Sequence, residues 1–264
     1  MPHFITYFLL FSTLAISCSC INQNNFSQSD PDWSPAVATN YDGPNGGGST
    51  DGACGYKNSV AQPPFSSFVS AGSSSLFKSG KGCGACYEVK CTENAACSGN
   101  PVTVVITDSC LDSNSQSQPV HFDMSDTAFV AMAIPGNADP LRTAGVLNVQ
   151  YRRVECNYPG VPVSFGVDSG SSPYYFETLI EYVSGSGALS AVELKQASAS
   201  SPDSWLSMQQ SWGAVWKLND TSGLTAPFSL KLIEDSGKTL VADNVIPADW
   251  QPGKTYQSAV TSFV

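Results

Sequence analysis

Positive charge and histidine are scarce in this sequence. Only 12 Lys and Arg stand against 22 Asp and Glu, giving a net charge of −10, and there are two histidines. An acidic surface repels polyanions, so nucleic acid and anionic membranes are disfavoured as partners, while neutral polysaccharide, cations or a basic partner stay open. One histidine is His3, near the N-terminus, so a histidine-rich metal site is excluded too, and no cofactor or metal is expected. Charged residues make up 13% of the 264 residues and hydrophobic ones 42%, a composition for a folded chain rather than a disordered one. Past residue 16 no apolar run is long enough for a membrane helix. The glycine run at 46–48 lacks the Lys-Ser/Thr pair that would close a phosphate loop. After Cys156 there is no cysteine at all.

What is present begins with an uncharged apolar run over residues 4–16, followed by small residues and a polar stretch at 22–29. That order reads as a signal peptide over residues 1–20, cleaved near Cys20, with an apolar core too short to anchor the chain. Of nine cysteines, Cys18 and Cys20 fall in this leader. The mature chain keeps Cys54, Cys83, Cys86, Cys91, Cys97, Cys110 and Cys156, so in an oxidising compartment three disulfides and one cysteine left over is the simplest account. Cys83-Gly84-Ala85-Cys86 has the spacing of a zinc or redox motif, but among so many other cysteines in a secreted chain it reads as disulfide framework. Asn25 and Asn219 each open an N-glycosylation acceptor triplet.

Two domains are expected. Residues 21–35 read as a flexible leader and 36–157 as a cysteine-stapled domain of short strands. Its strand signals are the alternation of Cys86 to Cys91, the apolar run Val102 to Thr107 and the alternation of Val146 to Val154. One short helix is expected over 127–133, capped by Ser125 and stopped at Pro135-Gly136. Tyr158 to Pro162 reads as a linker. Over 163–264 strands are expected at 176–183, 189–195, 214–218, 228–233 and 239–243, separated by Gly, Ser, Asn and Asp turns, which argues for a β-sandwich.

Four groups of residues could carry chemistry. In His121-Phe122-Asp123 strand alternation puts imidazole and carboxylate on one face and Phe122 in the core, and Asp108 ends a strand run that a neighbouring strand could bring close. Two carboxylates and a histidine in one groove are the ingredients of glycoside chemistry. The plainer reading makes Asp108 and Asp123 turn or capping residues. The segment from Thr39 through Tyr41 to Tyr56 is rich in glycine and supplies a ring and close backbone approach to a ligand, or simply a loop. Cys110 with His121 has the elements of a cysteine nucleophile but no marked orienting residue. Finally, Tyr174, Tyr175, Trp205, Trp212, Trp216 and Trp250 offer sugar-stacking faces if exposed and plain core if buried. Trp212 and Trp216, four apart, would share a face if they stood on one strand.

Several of these stretches together resemble the β-expansins of plant cell walls. They are Cys83 to Cys91, Val104-Val105-Ile106-Thr107-Asp108, His121-Phe122-Asp123, Gly145-Val146, Tyr151-Arg152-Arg153-Val154, Ser211 to Trp216 and Pro227 to Leu230, spread over about residues 36–264. The resemblance implies an all-β chain: a six-stranded double-psi β-barrel related to inverting endoglucanases of glycoside hydrolase family 45, then an immunoglobulin-like β-sandwich that binds carbohydrate. It implies disulfides Cys54–Cys83, Cys86–Cys156 and Cys91–Cys97, leaving Cys110. It implies groove residues Thr39, Tyr41, Asp51, Asp108, His121 and Asp123, with Asp123 where the hydrolases keep their acid, and a platform of Tyr175 and Trp212 in the second domain.

The resemblance further implies a secreted cell-wall protein that loosens adhesion between cellulose and matrix glycans such as xylan without hydrolysing them, and a monomer is expected. The family lacks the base that inversion requires about 6.5–9.5 Å from the acid. Two positions depart from its pattern. Asn40 stands where a ring usually follows Thr39, which removes about 1–2 kcal/mol of stacking, scaled from aromatic contacts. Asp42 falls one residue short of the hydrolase base, and a one-residue shift in an extended segment turns a side chain to the opposite face. Asp42 therefore reads as a turn residue, yet it keeps an active inverting endoglucanase as the first alternative. A lectin-like binding or defence protein is the second.

Overall fold

The computed structural model describes residues 32–41, 43, 45–110, 120–198, 201, 203–261 and 263. The signal peptide, Asn25 and Asp42 lie outside them. Among the described residues no helix is long and apolar enough to cross a membrane.

The first half is a closed barrel. Its strands are β1 (Ser34–Asn40), β2 (Val69–Gly72), β3 (Cys86–Cys91), β4 (Val102–Ser109), β5 (His121–Met124) and β6 (Leu147–Val154), in the order β1-β5-β2-β4-β3-β6. Pairs β1/β5 and β2/β4 run parallel and the others antiparallel. Alternation sends Ala38, Val89, Val104, Ile106 and Phe122 inward, where the Phe122 ring packs against those of Tyr87 and Tyr151 at 5.5 and 5.3 Å. Among the described residues three short α-helices cover the barrel: α1 (Ser74–Phe77), α2 (Asp126–Val130) and α3 (Ala138–Ala144). The Ser125 hydroxyl caps α2 by accepting from the Ala128 N–H, while α3 is a helix the sequence pattern did not mark.

The leader boundary at residue 35 falls too late. Strand β1 starts at Ser34, and Trp33 is buried with the Lys90 ammonium and the Arg152 guanidinium over its ring, 3.9 and 4.7 Å from the centroid. Two cations over one ring hold this entry to the barrel.

The second half is a sandwich of two antiparallel sheets. One has the order β10-β9-β13-β14, from Leu206–Ser207, Leu189–Gln196, Phe228–Glu234 and Thr239–Ile246. The other has the order β11-β12-β8-β7-β15, from Gln209–Trp212, Val215–Asn219, Tyr175–Glu181, Ser164–Val167 and Thr255–Gln257. Between them lies an apolar core containing Phe165, Phe176, Leu194, Phe228, Leu230 and Trp216.

The segment read as a linker does not hang free. Tyr158 is buried among Phe65 and Tyr182, and with Tyr56 these rings form a third apolar cluster shared by both halves. Disulfides Cys54–Cys83 and Cys86–Cys156 lie in that cluster, and Cys91–Cys97 clips the connection after β3. Burial pushes the Tyr56 and Tyr158 phenols well up from their usual range. At Gly84 and Gly187 the two backbones approach so closely that any side chain on either would collide with the other's carbonyl. The halves are docked, not tethered.

Candidate functional site

One row of residues runs across four barrel strands. Thr39 on β1 pairs with Asp123 on β5, Asp123 pairs with Ala71 on β2, and Ala71 pairs with Asp108 on β4. Residues in register share a face, so all four look outward while Phe122 fills the core. Strand β2 thus separates the two carboxylates, which the sequence pattern had placed on neighbouring strands. Two strand spacings put their backbones about 10 Å apart, with only the Ala71 methyl between.

The row is held by hydrogen bonds. The Thr39 hydroxyl donates to Asp123 Oδ1 at 2.5 Å and contacts His121 Nε2 at 2.8 Å. His121 is 1% exposed, and its Nδ1 lies 3.5 Å from the Sγ of Cys110, the described cysteine outside the three disulfides. Imidazole and carboxylate do share a face, but the imidazole is a buried prop beneath the groove. Asp108 is tied to the chain itself. Its Oδ1 accepts from the N–H groups of Ala53 and Ser109, both at 2.7 Å, which pins the turn at residues 51–54 over the end of β4. For Asp108 the plainer reading as a turn-holding residue fits this geometry. Asp51 is exposed on the same turn, and the Tyr41 hydroxyl accepts from the Ser49 N–H at 3.3 Å, framing the groove's far lip.

Sequence reasoning missed the residue that holds this lip. Asp126 is fully buried, with the guanidinium of Arg142 on both carboxylate oxygens at 2.7 Å. It also accepts from the Asn40 side chain at 3.2 Å and from the Asn45 N–H at 2.8 Å. These bonds, the Arg142 one foremost, hold its carboxyl below the usual range. Asn40 is thus a strut toward Asp126. Among the described residues no group of three His, Cys, Asp or Glu side chains is placed to hold a metal ion.

The sandwich contributes a flat face. Trp212, Val215, Leu179, Gly166 and Thr255 form one rung across its five-stranded sheet, and Tyr175 and Glu177 lie further along β8 on the same side. Trp212 is 50% exposed and its ring overhangs Gly55 of the barrel, so this face continues onto the first half. The Tyr175 hydroxyl donates to Glu177 at 2.8 Å, which pushes the phenol up to about 12. Asn219, of the second glycosylation triplet, is exposed and pairs with Tyr175. Trp212 and Trp216 do not stand on one strand. A turn at Gly213, where φ is +48°, sends the chain back, leaving Trp216 in the core and Trp212 outside. Trp205 packs under the Lys195 and Lys231 ammonium groups on the other sheet, Tyr174 is exposed, and Trp250 packs against the core.

Comparison with known proteins now bears on this arrangement. A family model described as lytic transglycolase matches residues 69–151, and one described as the expansin C-terminal domain matches residues 163–247. The chain is 59% identical to Expansin-B11 of Oryza sativa subsp. japonica, over 86% of this chain and 77% of the relative. It is 46% identical to Expansin-B4 of Arabidopsis thaliana, over 96% and 97%. The chain belongs to the β-expansins. Two crystal structures of an expansin from Clavibacter michiganensis share the fold of this chain, covering 86% of it and 96% of their own length. One is the apo protein, 22% identical with a TM-score of 0.62; the other is a variant in complex with cellohexaose, 21% identical with a TM-score of 0.63. The architecture is the six-stranded double-psi barrel followed by a β-sandwich.

Proposed function

We propose that this β-expansin is a secreted cell-wall protein that binds neutral glucan or matrix glycan without covalent chemistry and loosens the adhesion between chains. The observation that carries the reading is the continuity of the surface. In this reading a barrel groove lined by Thr39, Tyr41, Asp51, Asp108 and Asp123 continues onto a sandwich face bearing Trp212 and Tyr175, a reading supported by the Trp212 ring seated over Gly55 of the barrel. Hydroxyl-rich chains suit both ends: carboxylates and hydroxyls accept and donate along the groove, and rings stack on sugar faces. The net charge of −10 favours neutral glycans over acidic ones.

Bond cleavage is not part of this proposal. Inversion needs an acid and a separate base to activate water. Asp123 can serve as an acid, but Asp108 spends one oxygen on two backbone N–H groups. A hydrolytic reading draws on Asp42 near the position of the hydrolase base and on the Asp123–Ala71–Asp108 row, which places two carboxylates on strands either side of β2.

Two assays on one preparation test both readings. The protein should extend heat-killed wall strips at acid pH and release no new reducing ends from purified glucan. Reducing ends would establish the enzyme; binding without extension would leave a lectin-like protein. Asp123→Asn should abolish extension while cellulose binding stays within about twofold, because it removes one carboxylate from a surface with many contacts. Equal loss of both would place Asp123 in binding alone.

A further inference from the structure

Beside Trp212 the continuous face opens into a cleft of about 370 Å³ between the two halves. Its floor is the rung Trp212, Val215, Leu179, Gly166 and Thr255, and its wall is the barrel segment 55–59. The depth comes from Gly166, the one residue of the rung without a side chain. A Cβ there would meet Leu179 and Thr255 at 3.7 and 3.8 Å, ordinary contact distances, so the space above it is available.

Glu181 closes the deep end. It is 8% exposed, and Lys57 and Ser59 of the barrel line the cleft with it. Its Oε1 is buried and among the described residues accepts from no donor. A buried acceptor without a partner is costly and marks the place where a ligand's donor belongs. Burial pushes this carboxyl up from its usual range. Asp168 and Glu177 also line the cleft, yet they do not converge with Glu181 as metal ligands. What fits is a compact neutral group with hydroxyl donors.

We infer that this cleft is a branch pocket: it takes a single neutral sugar that projects from a glycan backbone lying across Trp212 and Tyr175, with a branch hydroxyl donating to Glu181 Oε1. A chain stacked on that face passes over the cleft mouth, so a substituted backbone gains contacts that plain glucan does not. The inference rests on the proposed glycan binding and specifies which glycan is preferred.

NMR titration of the full chain with cellotetraose, and with the same tetraglucoside bearing xylosyl branches, tests it. The branched ligand should bind about tenfold tighter and shift the Gly166 amide. Gly166→Val fills the floor with a strand-compatible side chain and should erase the preference, leaving cellotetraose affinity within about twofold. Glu181→Gln keeps the shape and should cut the preference at least about threefold even if Gly166→Val fails to fold. Equal affinity for the two ligands in the wild type, or a preference untouched by Glu181→Gln, overturns the branch pocket while the glycan-binding reading stands. No binding of either ligand overturns both.

Discussion

The barrel groove and the sandwich face present glycan-sized surfaces by opposite means. In the barrel the surface is made of polar groups already bonded to one another: Cys110 to His121, His121 to Thr39, Thr39 to Asp123. In the sandwich it is a flat sheet carrying Trp212 and Tyr175 above a dry core, with the Tyr175 hydroxyl donating to Glu177. Partly buried polar chains retain their geometry only if every member stays satisfied, so small displacements are expensive. An aromatic platform needs only to stay flat. The difference accounts for where the covalent staples and the buried ion pair are: three disulfides and the Asp126–Arg142 pair belong to the barrel, and the sandwich has neither cysteine nor such a pair among its described residues.

Removing the longest staple should give the largest effect. Cys86→Ala with Cys156→Ala opens a loop of sequence separation 70, which loop entropy values at about 4 kcal/mol. Hydrogen exchange should show β3 and β6 losing protection while β9 and β13 retain theirs. Equal loss in both halves would mean the shared cluster of Tyr56, Phe65, Tyr158 and Tyr182 makes the molecule one cooperative unit, and the contrast would fail.

Asp126→Asn comes next, at about 3 kcal/mol, because it strands part of the Arg142 guanidinium without its counter-charge. Its pH signature is specific. The native carboxyl titrates below the unfolded value of about 4, so its stabilisation is complete above that pH and is lost as pH falls through the native value. Between pH 4 and 2 the denaturant midpoint should therefore fall more in the wild type than in the variant. A parallel decline in the two would assign the acid loss to other groups.

The two regions also differed in what their sequences disclosed. Strands β3, β4, β5 and β6 announce themselves by alternation or apolar runs, whereas β1 and β2 are Ser-, Ala- and Gly-rich and owe their conformation to parallel partners far along the chain. Thr39 meets Asp123 across 84 residues of separation, so local patterns marked each residue separately and only family resemblance put both in one groove. Asp126 looked like an ordinary first-turn helix residue, and Arg142 sits on a helix whose Pro140 and terminal Gly145 break its apparent period. In the sandwich the strands were legible because each buries one face, and the expected strand 214–218 left Trp212 outside it, but only the reversal at Gly213 decides which of Trp212 and Trp216 is exposed.

The smaller effects distinguish a surface that binds from one that is pre-set. Trp212→Ala should weaken cellulose binding about tenfold, near 1.4 kcal/mol, with an unchanged melting temperature, since half of the ring already faces water. Binding isotherms and melts on one preparation check this. A large drop in stability would show the ring to be a spacer over Gly55 rather than a platform. Smallest of all should be Cys110→Ser. The thiol facing His121 Nδ1 at 3.5 Å is a weak hydrogen-bonding group, and a serine hydroxyl can stand in for it, so stability should change by under about 1 kcal/mol. Cellulose binding should not change, because the substitution lies two bonds behind the groove surface, beyond His121 and Thr39. If wall extension nevertheless fell in this variant, the orientation of the Thr39 hydroxyl would be set from beneath through the imidazole. The groove's function would then depend on an alignment that the sandwich face does without.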